Sequence, residues 1–259
     1  MIFARWPDLH VAGTAVLPEL GDSTLWPSLL DLSEALPADH VIIGGVMVYL
    51  HGAVLGRQPV RVTRDVDVLF DVQLVPSCLR DAVEVLQGLG YRVDPASPDD
   101  STHRYIGAND ERVDVLAPAG VRPPPDLTTT PPGRTIEVYG GLAALRNRVA
   151  VRAEYRGRTG AVVLPDLARA LCLKVAAYAG EAHRSPAAAF GSRHLEDLAF
   201  LTSLVDDADV LLEQLGPPPA NGRFAQTSVL DEPEHHAWRA VGDDAEDARL
   251  TWDLLRHGD

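Results

Sequence analysis

The sequence predicts a mixed α/β fold of the α+β type, built on a mixed sheet and followed by a mainly helical C-terminal part. Short β-branched runs bounded by glycine alternate with helical patterns up to about residue 160, and helical periodicity dominates after Pro165. A hydrophobic content of 46% and a charged content of 23% are ordinary for a globular chain. We therefore expect an α/β domain over residues 1–160, with its core at 40–117, and a helical domain over 161–259.

Strands are predicted where β-branched or alternating apolar residues lie between turn-forming residues. "HVIIGG" is a short strand ended by a glycine pair, and "RVTRDVDVLF" places Val66, Val68 and Phe70 on one face. "HRYIGA" and "ERVDVLAP" are joined by "NDE", which predicts a hairpin, and a second hairpin turns at "RGRTG". The predicted strands span 40–45, 61–70, 103–108, 111–118 and the two arms of a hairpin over 148–164.

Helices are predicted from apolar residues at helical spacing and from the prolines and glycines that end them. The first predicted helix ends before Pro37, and a proline-rich loop runs from Pro118 to Pro132. The predicted helices span 25–36, 46–54, 76–89, 165–181, 193–214 and 234–256.

Charge and cysteine content narrow the class of protein. The net charge of −14 disfavours a protein that coats nucleic acid without specificity. No apolar run approaches the ~20 residues needed to span a bilayer, and the N-terminus lacks the apolar region of a signal peptide. Cys78 and Cys172 both fall in predicted helices, which indicates reduced thiols. We expect a cytoplasmic protein without a membrane partner.

Two aspartates stand on a strand that is otherwise apolar. Asp65 and Asp67 are two residues apart and therefore share a face, which Arg61 and Thr63 join if the strand begins early enough. Two carboxylates at this spacing repel unless a cation lies between them, and their oxygens suit Mg²⁺. Asp114 is a further acid between valines on a later strand, and it could reach the same site. Each of these acids could instead lie on a solvated sheet face.

A glycine pair, Gly44 and Gly45, lies between the first predicted strand and the helix after it. Glycine there would let phosphate oxygens approach the backbone and the positive end of the helix. The pair could equally be a simple turn. Neither G-x-G-x-x-G nor G-x-x-x-x-G-K-[ST] occurs, so the two common nucleotide fingerprints do not apply.

These motifs together resemble a known group of enzymes. A strand, Gly-Gly and a helix, then R-x-T-x-D-x-D, then a later strand aspartate, are similar to the nucleotidyltransferase fold of the DNA polymerase β superfamily. The closest resemblance is to its AbiEii/MenT-like branch of toxins. The R-x-T-x-D-x-D form is matched by Arg61, Thr63, Asp65 and Asp67.

The resemblance covers roughly residues 40–205 and extends to two later positions. The lysine that the family carries on a helix would be Lys174. The family's K-D-x-x-D-L reads "RHLEDL" here, so Asp197 matches the final aspartate and His194 replaces the first acid. Asp197 could orient Lys174 or be a surface residue, and the role of His194 is left open.

Lys174 is unusual on its own account. Of the 23 basic residues it is the one lysine, and it shares a helical stripe with Leu167, Leu171 and Tyr178. A charge on an inward stripe needs a partner. A compact ammonium in an arginine-rich chain favours triphosphate binding, although a lysine at the edge of the stripe could extend to solvent.

The resemblance implies metal-dependent transfer of a nucleoside monophosphate from an NTP, ATP among the options, to a hydroxyl group. Two Mg²⁺ ions would be held by Asp65, Asp67 and Asp114, with Asp114 alternatively acting as a base. Gly44, Gly45, Arg61, Thr63, Lys174 and Asp197 would bind the nucleotide. The implied acceptor is a tRNA 3′ end or a protein hydroxyl, and the implied role is the toxin of a toxin–antitoxin or abortive-infection pair with an antitoxin partner.

Other functions stay open from the sequence. Related folds modify small molecules such as antibiotics, and a non-catalytic nucleotide-binding or interaction protein could keep the fold with Asp114 away from the site. An arginine cluster could receive RNA, or it could be solvated and paired with the acidic C-terminus. Its members are Arg146, Arg148, Arg152, Arg156 and Arg158.

Overall fold

A computed structural model describes residues 3–19, 24–59, 63–94, 102–217 and 222–257. Nine strands are found in these residues. In chain order they are β1 (Val11–Val16), β2 (His40–Ile43), β3 (Asp65–Phe70), β4 (Arg92–Val93), β5 (Arg104–Ile106), β6 (Arg112–Pro118), β7 (Glu137–Val138), β8 (Arg148–Tyr155) and β9 (Arg158–Pro165).

Ten α-helices are found in the same described ranges, with two 3₁₀ turns at Ala225–Asp231 and Gly242–Asp244. The helices are α1 (Leu25–Ala35), α2 (Gly44–Val54), α3 (Cys78–Gly88), α4 (Gly141–Arg146), α5 (Leu167–Arg184), α6 (Pro186–Ala189), α7 (Arg193–Thr202), α8 (Ala208–Leu215), α9 (His236–Arg239) and α10 (Ala245–His257).

The larger sheet carries the aspartates. Its strand order is β2-β3-β6-β5-β4, and β7 pairs with the end of β6. β3 and β6 are parallel, whereas β2–β3, β6–β5 and β5–β4 are antiparallel. Val66, Val68, Leu69 and Phe70 of β3 are buried, so β3 is a core strand and its two aspartates stand at its beginning.

A second sheet has the order β1-β8-β9. β1 runs parallel to β8, and β8 and β9 form an antiparallel hairpin. Helix α1 packs against β9, α2 packs between β1 and β3, and α5 packs against α7. The apolar core is therefore continuous from the sheets into the C-terminal helices.

The predicted α/β class with a mixed sheet and a helical C-terminal part is confirmed at this level. Both predicted hairpins, β5–β6 and β8–β9, are present. The division into domains at residue 160 stays a prediction. Cys78 and Cys172 are free thiols, and no helix among the described residues has the length and hydropathy to cross a membrane.

Two long helices predicted near the C-terminus are wrong, because local polar and glycine residues interrupt them. The predicted helix 193–214 is α7 and α8, since the Asp207 side chain accepts from the backbone N–H groups of Asp209 and Val210 and starts a new helix. The predicted helix 234–256 is α9, a 3₁₀ turn and α10. Gly242, with φ of +77°, breaks the helical backbone there.

The strand predicted over 61–70 begins only at Asp65. Thr63 precedes it, and its Oγ1 accepts the N–H of Asp65 at 3.4 Å, an arrangement that belongs to a turn. Arg61 lies outside the described residues. β1, with its mostly exposed residues, and the six-residue α4 were not predicted.

Candidate active site

Three carboxylates from two neighbouring strands line one cavity. Asp65 and Asp67 share a face of β3, and the parallel register with β6 places Asp114 opposite Asp67. All three aspartates line a cavity of about 270 Å³. The structure thus brings together the three acids that the sequence singled out, and it does so because β6 pairs directly with β3.

The glycine pair lies at the N-terminus of α2, against the side chains of β3 and the turn before it. Gly44 has φ of +70°, and a Cβ built on it would lie 1.7 Å from Oδ2 of Asp67. A Cβ on Gly45 would lie 2.6 Å from Cβ of Thr63. Both glycines and Thr63 line the cavity. Glycine is required here because the helix terminus closely approaches these two side chains.

Lys174 reaches the cavity from α5, a helix that Asp166 caps by accepting the N–H of Arg169. As predicted, Lys174 lies on the inward stripe of the helix and is 4% exposed. Its Nζ donates to Oδ2 of Asp197 on α7 at 2.7 Å, and Asp197 is 3% exposed. Lys174 lines the same cavity as the aspartates. The hypothesis that Lys174 lies far from the three aspartates is therefore excluded.

The pKa of Asp67 depends on its burial and on the charges around it. The pKa of Asp67 is raised to about 7, mainly by burial and next by the negative charge of Asp114, while the positive charge of Lys174 opposes the rise. Near neutral pH, Asp67 therefore holds a proton for part of the time unless a cation approaches. Oδ1 of Asp65 is buried and has no hydrogen-bond partner within the described part of the chain.

Arg104 is a site residue that the sequence did not reveal. Its Nε and Nη2 donate to Oδ1 and Oδ2 of Asp114, each at 2.8 Å, and Nη2 lies 3.8 Å from Oδ2 of Asp65. Arg104 and Asp114 are direct cross-strand partners in the β5–β6 hairpin. The predicted turn "NDE" is centred on Asp110, which would have set Arg104 opposite Leu116, so the predicted register did not reveal this pair.

His194 and Arg193 also line the cavity, at the start of α7. Burial lowers the pKa of His194 to about 4, and the charge of Lys174 lowers it as well. The imidazole is therefore neutral at physiological pH, and its Nδ1 has no hydrogen-bond partner in the described residues. At this position the chain thus holds an uncharged ring where the resembled motif has an acid.

The donor set fits a hard divalent cation. Asp65 and Asp67 present carboxylate oxygens on one face of β3, and Oδ1 of Asp65 has no hydrogen-bond partner among the described residues. The negative charge of Asp67 is disfavoured by burial and by Asp114, and a bound cation would offset this. Over the described ranges, no three His, Cys, Asp or Glu side chains already form a ready metal site. Asp114 instead gives both of its oxygens to Arg104.

The hairpin arginines are largely occupied by carboxylates. Arg156 pairs with Glu19 at 3.1 Å, Arg158 with Asp31 at 2.5 Å, and Arg152 with Glu154 at 3.5 Å. None of these three acids belongs to the acidic C-terminus, so for these three arginines the alternative of pairing with that segment does not hold. The partners reduce the net positive charge that the hairpin offers to an RNA backbone.

Comparison with known proteins assigns no family. No family model, no curated protein and no solved structure matches this chain. The likeness to nucleotidyltransferases stays a prediction made from the motifs.

Proposed function

We propose that this protein is a metal-dependent nucleotidyltransferase, which moves a nucleoside monophosphate from an NTP to a hydroxyl acceptor. The observation that supports this most is the convergence of Asp65, Asp67 and Asp114 with Lys174 in one cavity. Nucleotidyl transfer asks for cation-binding carboxylates beside a positive group for the triphosphate. The β2-β3-β6 part of the larger sheet would then be a polymerase-β-like core.

Asp65 and Asp67 would hold a Mg²⁺ ion, and Asp114 would complete the position of a second ion. Bound Mg²⁺ would supply neutralisation of the charge that develops on the attacking and leaving oxygens. The unpartnered, buried Oδ1 of Asp65 supports this role. The register position of Asp67 opposite Asp114 supports it as well.

Lys174 is the residue that we assign to the triphosphate. Its ammonium has three N–H groups, one of which is held by Asp197. Asp197 does not line the cavity, so its part is to orient Lys174 and fix its charge there. The backbone N–H groups at the start of α2, beside Gly44 and Gly45, provide a positive helix terminus for the phosphates.

The chemical step is a displacement at the α-phosphorus. A hydroxyl oxygen of the acceptor bonds to the α-phosphorus, the bond to the bridging oxygen of the β-phosphate breaks, and pyrophosphate leaves with that electron pair. Asp114 is the carboxylate that would take the hydroxyl proton when it does not serve as a metal ligand. In the structure Arg104 holds Asp114, so this role requires Arg104 to move.

The proposal also covers the acceptor and the biological role. A tRNA 3′ end or a protein hydroxyl, a role as toxin with an antitoxin partner, and use of ATP all come from the motif resemblance alone. A small-molecule acceptor such as an antibiotic stays an alternative. The net charge of −14 and the paired hairpin arginines do not favour RNA.

A second candidate is a non-catalytic nucleotide-binding protein on the same fold. The Arg104–Asp114 pair favours it, because Asp114 gives both of its oxygens to Arg104 and in this arrangement is not free to bind metal or take a proton. The two candidates differ in whether the phosphorus–oxygen bond is broken.

The test is label transfer. The purified protein is incubated with each α-³²P-labelled NTP, Mg²⁺ and total tRNA, alongside Asp67→Ala and, as a matched control, Asp253→Ala on the exposed face of α10. We expect label on RNA or protein with the wild type and Asp253→Ala, and none with Asp67→Ala. Mg²⁺-dependent binding that needs Lys174, without transfer to any acceptor, would favour the second candidate. Absence of both transfer and binding would refute the proposed site.

A further inference from the structure

Arg104 occupies a position that a cation would take. Its guanidinium bonds both oxygens of Asp114 at 2.8 Å and reaches to 3.8 Å from Asp65. Asp65 is on β3, and β6 lies between β3 and the strand that carries Arg104. The head of Arg104 therefore extends across β6 over the acidic row, further than a simple cross-strand pair with Asp114 requires.

Lys174 and Arg104, two of the three cationic side chains that line the cavity with Arg193, differ in freedom to move. Lys174 has a side chain that is 5% exposed and is fixed to Asp197 from a neighbouring helix. The side chain of Arg104 is 31% exposed and lines the cavity from the short strand β5. Arg104 is thus the cation that can leave the carboxylates without unfolding its surroundings.

We propose, on the basis of the proposed function, that Arg104 is a phosphate-binding residue that stays on Asp65 and Asp114 until metal and nucleotide arrive together. A divalent ion competes with the guanidinium for the same carboxylates. A triphosphate gives the displaced guanidinium a new partner, because arginine forms paired hydrogen bonds with phosphate oxygens as it does with carboxylates. Metal ions and triphosphate should therefore bind cooperatively, and metal alone should bind weakly.

Replacing Arg104 should therefore change the two affinities in opposite directions: metal alone should bind more tightly, and triphosphate should bind more weakly. An opposite charge at this range changes the proton affinity of a carboxylate by about 1–3 pKa units, and we expect an effect of similar size on metal affinity. Arg104→Gln should bind metal alone more tightly by about tenfold or more. The same variant should bind the triphosphate in the presence of metal more weakly by about tenfold, because a phosphate ligand has been lost.

The experiment measures Mn²⁺ binding by electron paramagnetic resonance, with and without a non-hydrolysable NTP analogue. It compares the wild type, Arg104→Gln, Arg104→Lys and the matched control Arg80→Gln, whose arginine is exposed on α3. The expected result is stronger Mn²⁺ binding and weaker analogue binding in Arg104→Gln, with Arg80→Gln like the wild type. Arg104→Lys keeps the charge but loses the fork geometry, so its Mn²⁺ affinity should stay near that of the wild type while analogue binding falls.

Unchanged or weaker Mn²⁺ binding in folded Arg104→Gln would overturn the proposal, because Arg104 would then be only a structural partner of Asp114. If Arg104→Gln does not fold, unchanged analogue binding in Arg104→Lys overturns it equally. These failures leave label transfer by the wild type intact and so do not touch the proposed function. A wild type that binds neither Mn²⁺ nor the analogue would overturn both.

Discussion

Oδ2 of Asp67 lies where a side chain on Gly44 would begin: a Cβ there would be 1.7 Å away. The backbone of Gly44 also has φ of +70°, which L side chains rarely adopt. These two facts fix the start of α2 against the carboxylate of β3. The distance between helix terminus and aspartate, on which the proposed phosphate position depends, is therefore set by the absence of a side chain.

Gly44→Ala should destabilise the protein more than Gly56→Ala. Both glycines have φ of +70°, but nothing lies within 4 Å of a Cβ on Gly56. The shared backbone strain costs about 1–2 kcal/mol, and the clash with Asp67 should add about 1–3 kcal/mol to Gly44→Ala alone. Urea denaturation measures both. Equal losses of the free energy of unfolding would show that α2 can move away from Asp67 at no cost.

Asp67→Asn should change how stability depends on pH. Burial raises the pKa of Asp67 from 3.8 to about 7. Between these pH values the folded wild type binds a proton that the unfolded chain has lost, so the Asp67 contribution to the free energy of unfolding falls as pH rises. Asparagine does not titrate and avoids this loss.

The measurement is the difference in free energy of unfolding between Asp67→Asn and the wild type, in the presence of EDTA. The variant should gain stability relative to the wild type from pH 3.8 to about 7 and keep that gain above it. Each pKa unit corresponds to roughly 1.4 kcal/mol, which makes the gain a few kcal/mol at most. A difference that does not vary with pH would show that burial does not raise the pKa of Asp67.

Lys174 and Asp197 should behave as one unit in a double-mutant cycle. Both side chains are buried, with Nζ and Oδ2 2.7 Å apart, so removing one leaves the charge of the other without this partner. Lys174→Met and Asp197→Leu should each cost about 3–5 kcal/mol. The double variant should cost clearly less than the sum of the two.

Thermal and urea unfolding of the four proteins measure the coupling energy. Arg256→Met and Asp231→Leu provide a comparison pair, whose side chains are 12% and 35% exposed. That more exposed pair should couple by about 1 kcal/mol or less. Additive losses for Lys174 and Asp197 would mean that Asp197 does not hold the lysine in place.

Local patterns predicted the elements that carry the site. Period-two apolar residues and the flanking glycines locate β2, β3 and the hairpin of β5 and β6, because these signals act over a few residues. The shared face of Asp65 and Asp67 follows from the strand period alone. The stripe that turns Lys174 inward follows from helical spacing in the same way.

What could not be predicted depends on contacts between distant segments. The pairing of β3 with β6, which sets Asp114 opposite Asp67, joins residues that lie 47 positions apart in the chain. A strand pattern gives no information on which strand lies beside it. Arg104 was missed for a different reason. Its head bonds Asp114 and also reaches across β6 to Asp65, and no spacing rule encodes that reach.

The most direct test of the central claim is a crystal structure with Mn²⁺ and a non-hydrolysable NTP analogue, using the anomalous signal of the metal. We predict a Mn²⁺ peak at coordination distance, roughly 2.0–2.6 Å, from carboxylate oxygens of Asp65 and Asp67, with the triphosphate between Lys174 and the start of α2. A nucleotide bound elsewhere, for instance in the cavity of about 330 Å³ beside Arg5 and Arg158, would contradict it, as would Mn²⁺ outside the three aspartates.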